Sequence, residues 1–180
     1  MDKPTKLTVG VGAAGLACAV AGVAAPAPLG WLAAWIALAC ARVALAYRRN
    51  RPAVFGKRDG RLSPAPAAAA LPYLVAMRIA CFLMRTWRRH PPLSQVTPRL
   101  WVGGRLRPQD VPAAAAFVVD LTSEFSEPAE IRALPGYRCL PVLDGACPPD
   151  DDAFCALLDE IAADGGGAVF HCESGLGRAP

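Results

Sequence analysis

The sequence predicts an N-terminal transmembrane helical hairpin joined to an α/β domain, a mixed sheet with flanking helices. Three observations predict it. Two apolar runs, residues 7–25 and 29–47, each have the length that crosses a bilayer as a helix. From residue 96 onward, short apolar runs alternate with helical patterns, as strands alternate with crossover helices. The charge divides at the same place. Residues 1–95 hold 13 Lys/Arg against 2 Asp/Glu, net +11, and residues 96–180 hold 6 against 13, net −7. A basic apolar half followed by an acidic half suits a membrane anchor carrying a cytoplasmic domain. An apolar content of 54% is too rich for an ordinary soluble domain of 180 residues.

The anchor comes first, over residues 1–62. Lys3 and Lys6 precede the first run, whose 19 residues carry no charge. Pro26-Ala27-Pro28 breaks it from the second run, which only Arg42 interrupts, near an end from which its long side chain can snorkel. Arg48, Arg49, Arg51, Lys57, Arg58 and Arg61 follow. Cations at both ends and none in the turn put both ends on the cytoplasmic face of the inner (plasma) membrane, in a multi-pass topology. Gly15, Ala19 and Gly22 leave room for the two helices to pack closely. Two other readings compete. Ala19-Val20-Ala21 or Val23-Ala24-Ala25 would serve as the cleavage site of a signal peptide, and a soluble protein would bury such a helical pair in its core.

Residues 63–93 are a linker and a third helix. Residues 63–70 read as a Pro/Ala linker, and Pro72 suits the first turn of a helix running to about Trp87. Arg78, Arg85 and Arg89 fall on one narrow stripe of it, with Trp87 and Arg88 at its end. This suits a helix lying on the inner membrane surface; a third, short span or a helix packed on the domain are the alternatives.

The domain occupies residues 94–180. Residues 96–104 read as an opening strand and turn, and residues 107–112 lead into an alanine-rich helix. Residues 117–121 are a short apolar strand, and residues 137–143 a second that ends in Asp144-Gly145. Asp150, Asp151 and Asp152 form an N-cap cluster for a helix over 153–163, with Phe154, Leu157, Leu158 and Ile161 on one face. Ala168-Val169-Phe170 is a buried strand. Seven cysteines without paired spacing point to neither a disulfide framework nor a zinc site. No repeat and no basic-aromatic pattern suggests nucleic acid.

That last strand runs into His171-Cys172-Glu173-Ser174-Gly175-Leu176-Gly177-Arg178. Glycines let successive backbone N–H groups turn inward as an anion nest. The donors that hold a phosphate also stabilise a thiolate, and a thiolate is the form of cysteine that attacks. Arginine supplies a planar fork for two phosphoryl oxygens. A thiolate nucleophile also requires a reducing compartment.

This Cys-x5-Arg stretch resembles the signature loop of the cysteine-dependent phosphatases in their dual-specificity form, and residues 96–124 are similar to the start of bacterial domains of that kind that follow membrane segments. The resemblance covers about 85 residues and is specific only in the loop. It implies a hydrolase of phosphomonoesters on protein, lipid or inositol, with Cys172 as nucleophile and Arg178 as phosphoryl-binding residue. The loop residues Glu173, Ser174, Gly175, Leu176, Gly177 and Arg178 would bind phosphate, and His171 would support the loop. The family carries its general-acid Asp on a loop about thirty residues before the cysteine, which points to Asp144. No metal or organic cofactor is implied. The expected partners are a phosphorylated protein or phospholipid substrate and membrane lipids.

The chain departs from the family pattern twice. Ala179 stands where the family places Ser or Thr, a hydroxyl that eases departure of the thiolate. The family also continues from the loop into a long helix and further helices, whereas the sequence stops at Pro180. The expectation is therefore a fragment or truncated product, an incomplete domain that leaves Val169 or its neighbours exposed. A phosphate-binding remnant without turnover is the second reading. A rhodanese-like sulfurtransferase is the third, disfavoured by the paired glycines, Arg178 and Asp144.

Overall fold

A computed structural model describes residues 3–87, 93–175 and 177–179. Arg88, Arg89, Leu176 and Pro180, each used above, lie outside the described residues.

Two long helices, α1 (Lys3–Val23) and α2 (Ala27–Arg48), form an antiparallel hairpin. Pro28 sits in the first turn of α2, where its missing N–H costs nothing. Small residues line the seam. A Cβ on Gly15 would meet the Cys40 Cβ at 2.8 Å, and one on Gly22 would meet the Ala33 Cβ at 2.8 Å. The large side chains Leu16, Val20, Trp31 and Leu38 point outward and are exposed. Only 6% of the most apolar 18 residues of α1 and 22% of those of α2 are buried, whereas the core helix of a soluble protein is mostly buried. At about 1.5 Å per residue, 21 and 22 residues reach across the roughly 30 Å of a bilayer's hydrocarbon.

The end of the hairpin where α1 begins and α2 finishes is built into the rest of the molecule. Val43 and Tyr47 of α2 pack with Phe55, from a short 3-10 turn, and with Tyr73, Leu74 and Leu143. The Phe55 and Tyr73 rings stack at 5.7 Å, and the Tyr47 and Tyr73 hydroxyls lie 3.2 Å apart. A two-residue ribbon follows, β1 (Lys57–Arg58) with β2 (Arg61–Leu62), turned by Asp59 and Gly60. Both have positive φ, the conformation that tight hairpin turns need. The Pro/Ala linker contains a short helix, α3 (Pro64–Ala69), because its prolines fall in the first turn. Helix α4 (Leu71–Trp87) then turns Tyr73 and Leu74 inward, while Val75, Ile79 and Phe82 are exposed.

Five strands form the main sheet: β3 (Leu93–Thr97), β4 (Leu100–Gly103), β5 (Ala115–Thr122), β6 (Tyr137–Val142) and β7 (Gly167–His171). Their spatial order is β3-β4-β7-β5-β6, with β3 antiparallel and the other pairs parallel. Strand β7 is therefore central, and all five of its residues are buried. Its side chains alternate between two cores. Ala168 and Phe170 join Phe117, Val119, Leu121, Val142 and Leu157 on one face. Val169 joins Trp101, Leu106, Val118 and Ile131 on the other. The expectation of an exposed Val169 is thus corrected, because Trp101, Leu106 and Ile131 cover that face.

The alanine-rich helix after Pro112 is absent. The backbone makes a 3-10 turn at Pro108–Asp110, and Ala115 pairs with Gly167 to begin β5. Four alanines are too few to sustain a helix in isolation; Ala113 and Ala114 form a turn, and the strand takes Ala115 and Ala116. A four-residue helix, α5 (Ala129–Arg132), covers one face. Helix α6 (Asp151–Asp164) begins as expected, with the Asp150 carboxylate accepting from the Ala153 amide at 2.9 Å. Phe154, Leu157 and Ile161 face the core, while Leu158 stays exposed at the edge of that face.

Candidate active site

Cys172 leaves the carboxyl end of β7, the edge where a parallel sheet opens its crevice. The loop after it is pinned to the neighbouring strand. The Cys172 amide donates to the Gly103 carbonyl at 3.1 Å, and the Arg105 amide to the Glu173 carbonyl at 3.2 Å. Gly104 and Ser174 form an isolated bridge. Gly175 has φ of 72°, and a Cβ there would lie 2.5 Å from the Gly104 nitrogen. Glycine is thus required at this turn on two grounds.

The turn brings amides to the sulfur. The Gly175 N–H donates to Cys172 Sγ at 3.2 Å, and the sulfur is buried. Burial alone pushes the thiol up. The backbone amides of Arg178, Ala179 and Gly175, together with the Arg178 guanidinium, outweigh it and hold the thiol below its ordinary pKa.

Arg178 crosses beneath the loop toward the ends of β5 and β6. Its fork grips Glu124, Nη1 to Oε2 at 2.8 Å and Nη2 to Oε1 at 2.5 Å, and Nη1 also reaches the Val142 carbonyl at 2.8 Å. The two side chains are only 2% and 3% exposed. Burial disfavours the guanidinium charge, but Glu124 and Asp144 raise its pKa above the usual value. Nε has no hydrogen-bond partner among the described residues and lies 3.8 Å from Asp144 Oδ1. Asp144 follows β6 and is partly exposed. Its other neighbour is Lys3 from the first turn of α1, with Nζ 3.0 Å from Oδ2. A Cβ on Gly177 would lie 3.5 Å from both Asp144 Oδ1 and Lys3 Nζ, so the exposed end of the loop faces this pair.

Cys172, Arg178 and Asp144 are thus brought to one edge of the sheet. Gly175 and Gly177 shape the loop, Ser174 is half-buried at the bridge, and the Glu173 side chain is buried. Leu176 lies outside the described residues.

His171 points away from the loop, into a second charged cluster behind the sheet edge. Lys57 from β1 inserts a fully buried ammonium, 2.5 Å from Asp120 Oδ2 and 2.6 Å from Thr122 Oγ1. Tyr137 also donates to Asp120, at 2.8 Å. Asp120 is the register partner of His171 across β5 and β7. Burial would raise the Asp120 carboxyl, but Lys57 and its hydrogen bonds hold it below the ordinary value. Burial drives the His171 imidazole down to about 4, against the pull of Asp120. Neither ring nitrogen has a hydrogen-bond partner of good geometry among the described residues. Glu127 completes the group, its carboxyl pushed up to about 7 by burial and by Asp120.

Asp120, Glu127 and His171 have ligand-type atoms within 4.8 Å of one another. Lys57 and Arg105, the latter 3.3 Å from Glu127 Oε1, already supply one cation for each carboxylate. A divalent ion would have to displace them, and the donor set does not favour it.

Sequence reasoning missed Glu124, Lys57, Lys3 and Asp120. The signal for Glu124 was present, since an acid directly after a buried strand in a parallel sheet lies at the crevice edge. Nothing local marked Lys57 or Lys3, which read as juxtamembrane cations. No family model matches the chain, and no curated protein or solved structure matches it.

Proposed function

We propose that the protein is a membrane-anchored cysteine phosphatase of the dual-specificity type, hydrolysing phosphomonoesters through a cysteinyl-phosphate intermediate. The observation that carries this reading is the Cys172 sulfur held among the amides of Gly175, Arg178 and Ala179 and kept below its ordinary pKa despite burial. Amides that stabilise a thiolate at that spot equally suit the equatorial oxygens of a phosphoryl group. Arg178 Nε is a buried donor with no hydrogen-bond partner among the described residues, and Glu124 fixes the guanidinium that carries it.

In this mechanism Cys172 attacks phosphorus as the ester P–O bond breaks. The departing oxygen keeps the electron pair and takes a proton from Asp144. Water then attacks the cysteinyl phosphate and gives its proton to the Asp144 carboxylate, and the sulfur leaves as thiolate with inorganic phosphate released. The hairpin anchors the domain, and the cations at Lys3, Lys6 and Arg48 to Arg51 favour a cytoplasmic location for both its ends.

A second reading, a protein that binds or traps phosphate with little turnover, draws on Ala179. Its methyl group packs against the apolar cluster that includes Cys172, where a hydroxyl would assist the leaving thiolate. One experiment covers both readings: phosphate release from an aryl phosphate by the wild type, Cys172→Ser and Ala179→Ser, with a search for trapped phosphocysteine. Loss of release in Cys172→Ser and about tenfold faster turnover in Ala179→Ser are expected, a difference of roughly 1.4 kcal/mol in barrier. Release that survives Cys172→Ser removes this loop from the chemistry.

A further inference from the structure

The loop that carries Asp144 is held by the base of the hairpin at three points. Lys3 of α1 ion-pairs with Asp144 at 3.0 Å. Asn50, just past α2, donates from Nδ2 to the Cys147 carbonyl at 3.1 Å. Leu7 and Val11 of α1 pack in the cluster that buries Leu143 and takes in Ala146. The candidate acid is therefore fixed relative to the membrane helices and not only to the sheet.

This attachment sets a depth. The uncharged run begins at residue 7, so Lys3 stands one helical turn, about 6 Å, outside the hydrocarbon. That is the level of the lipid headgroups. Asp144 lies at the same level, 3.0 Å from Lys3, and the exposed Gly177 edge of the loop is a few ångströms away. A second feature points the same way. Helix α4, joined to α2 through Tyr47 and Tyr73, exposes Val75, Ile79, Phe82, Leu83 and Trp87 beside the hairpin. An apolar helix face of this kind next to membrane helices is covered by the bilayer surface itself.

We propose that the substrate is a membrane lipid bearing one phosphomonoester, a diacylglycerol phosphate resident in the same bilayer as the hairpin, with Lys3 at the rim meeting its phosphoryl oxygens. This rests on the phosphatase reading above. A buried donor with no hydrogen-bond partner among the described residues, Arg178 Nε, and a loop without basic side chains at Glu173 and Ser174 suit a single phosphoryl group rather than a multiply phosphorylated headgroup. The P–O bond to glycerol breaks as sulfur takes the phosphoryl group. The glycerol oxygen keeps the electron pair and takes the Asp144 proton, leaving diacylglycerol in the membrane. Water then carries the phosphoryl group off as inorganic phosphate.

The test reconstitutes the full chain in phosphatidylcholine vesicles. Phosphate release is compared for diacylglycerol phosphate in the same vesicles, for glycerol phosphate and a phosphotyrosine peptide in solution, and for an aryl phosphate, each with a Cys172→Ser control. The lipid should exceed glycerol phosphate in kcat/KM by at least about 100-fold, the scale that confinement to one surface supplies. Equal rates on the lipid and on glycerol phosphate, or a faster rate on the peptide, overturn the lipid assignment while Cys172-dependent aryl phosphate cleavage keeps the phosphatase reading. Absence of Cys172-dependent release from all four substrates overturns both.

Discussion

Two charged clusters flank Cys172, and they are built to opposite specifications. Behind the strand, Lys57, Asp120, Thr122 and Tyr137 form a sealed network in which the ammonium has three oxygen partners and both side chains of the ion pair are fully buried. In front, Glu124 and the Val142 carbonyl hold the outer nitrogens of Arg178, while Nε has no hydrogen-bond partner among the described residues and lies 3.8 Å from the partly exposed Asp144 carboxylate. The difference separates holding from acting. A buried cation with all its donors used is a fastener, whereas one with a donor spare has capacity for a ligand.

The largest expected effect breaks the fastener. Lys57→Met leaves the Asp120 carboxylate buried without its cation and should cost about 3–5 kcal/mol of stability. Urea unfolding of the detergent-solubilised chain measures it. A loss below about 1 kcal/mol would mean that the two clusters do not differ as described.

The next effect sharpens the front cluster. Asp144→Asn should slow substrates with poor leaving groups by about 100-fold, the lower end for loss of a general acid, and barely touch those with good ones. Stability should change little, because the group is partly exposed. Steady-state kinetics on a series of aryl phosphates gives the comparison, and an equal loss across the series would count against the role of Asp144.

The smallest effect comes from two members of the rear cluster that titrate against each other. His171 has its pKa lowered to about 4, so its contribution to stability is present above pH 6.5 and is lost as pH falls toward 4. Glu127 has its pKa raised to about 7, so its contribution is present below pH 4.5 and is lost as pH rises toward 7. Between pH 4.5 and 6.5 the two slopes oppose, and the wild type should be nearly flat. Glu127→Gln removes one of them and should leave a chain whose melting temperature falls steadily on acidification through that window. A flat profile in the variant would show that His171 is not held neutral by the fold.

The contrast also marks what could be read from the letters. The strand before Cys172, the glycine turn at Gly175 and the Asp150 cap were legible because each is decided within a few residues by periodicity, φ or a side chain capping its own helix. The alanines at 113–116 misled because a local helix preference lost to a ladder with Gly167, more than fifty residues away. Lys57, Glu124 and Lys3 stayed hidden for the same reason. Their partners Asp120, Arg178 and Asp144 lie 63, 54 and 141 residues away. A lone cation next to a membrane run reads as a topology signal, and only the fold reveals that it is a ligand of an acid.

The placement of β7 has a consequence in time. Strands β4 and β5 do not pair with each other; both pair with β7, the last of the five in chain order. During synthesis at roughly 5–20 residues per second, several seconds separate the appearance of β4 from that of β7. Through that interval the hairpin can already sit in the membrane, while Lys57 waits for Asp120 and two open strand edges wait for a centre. The segment that brings Cys172 is thus the one that closes the sheet, and the nucleophile arrives only when the architecture that activates it can form.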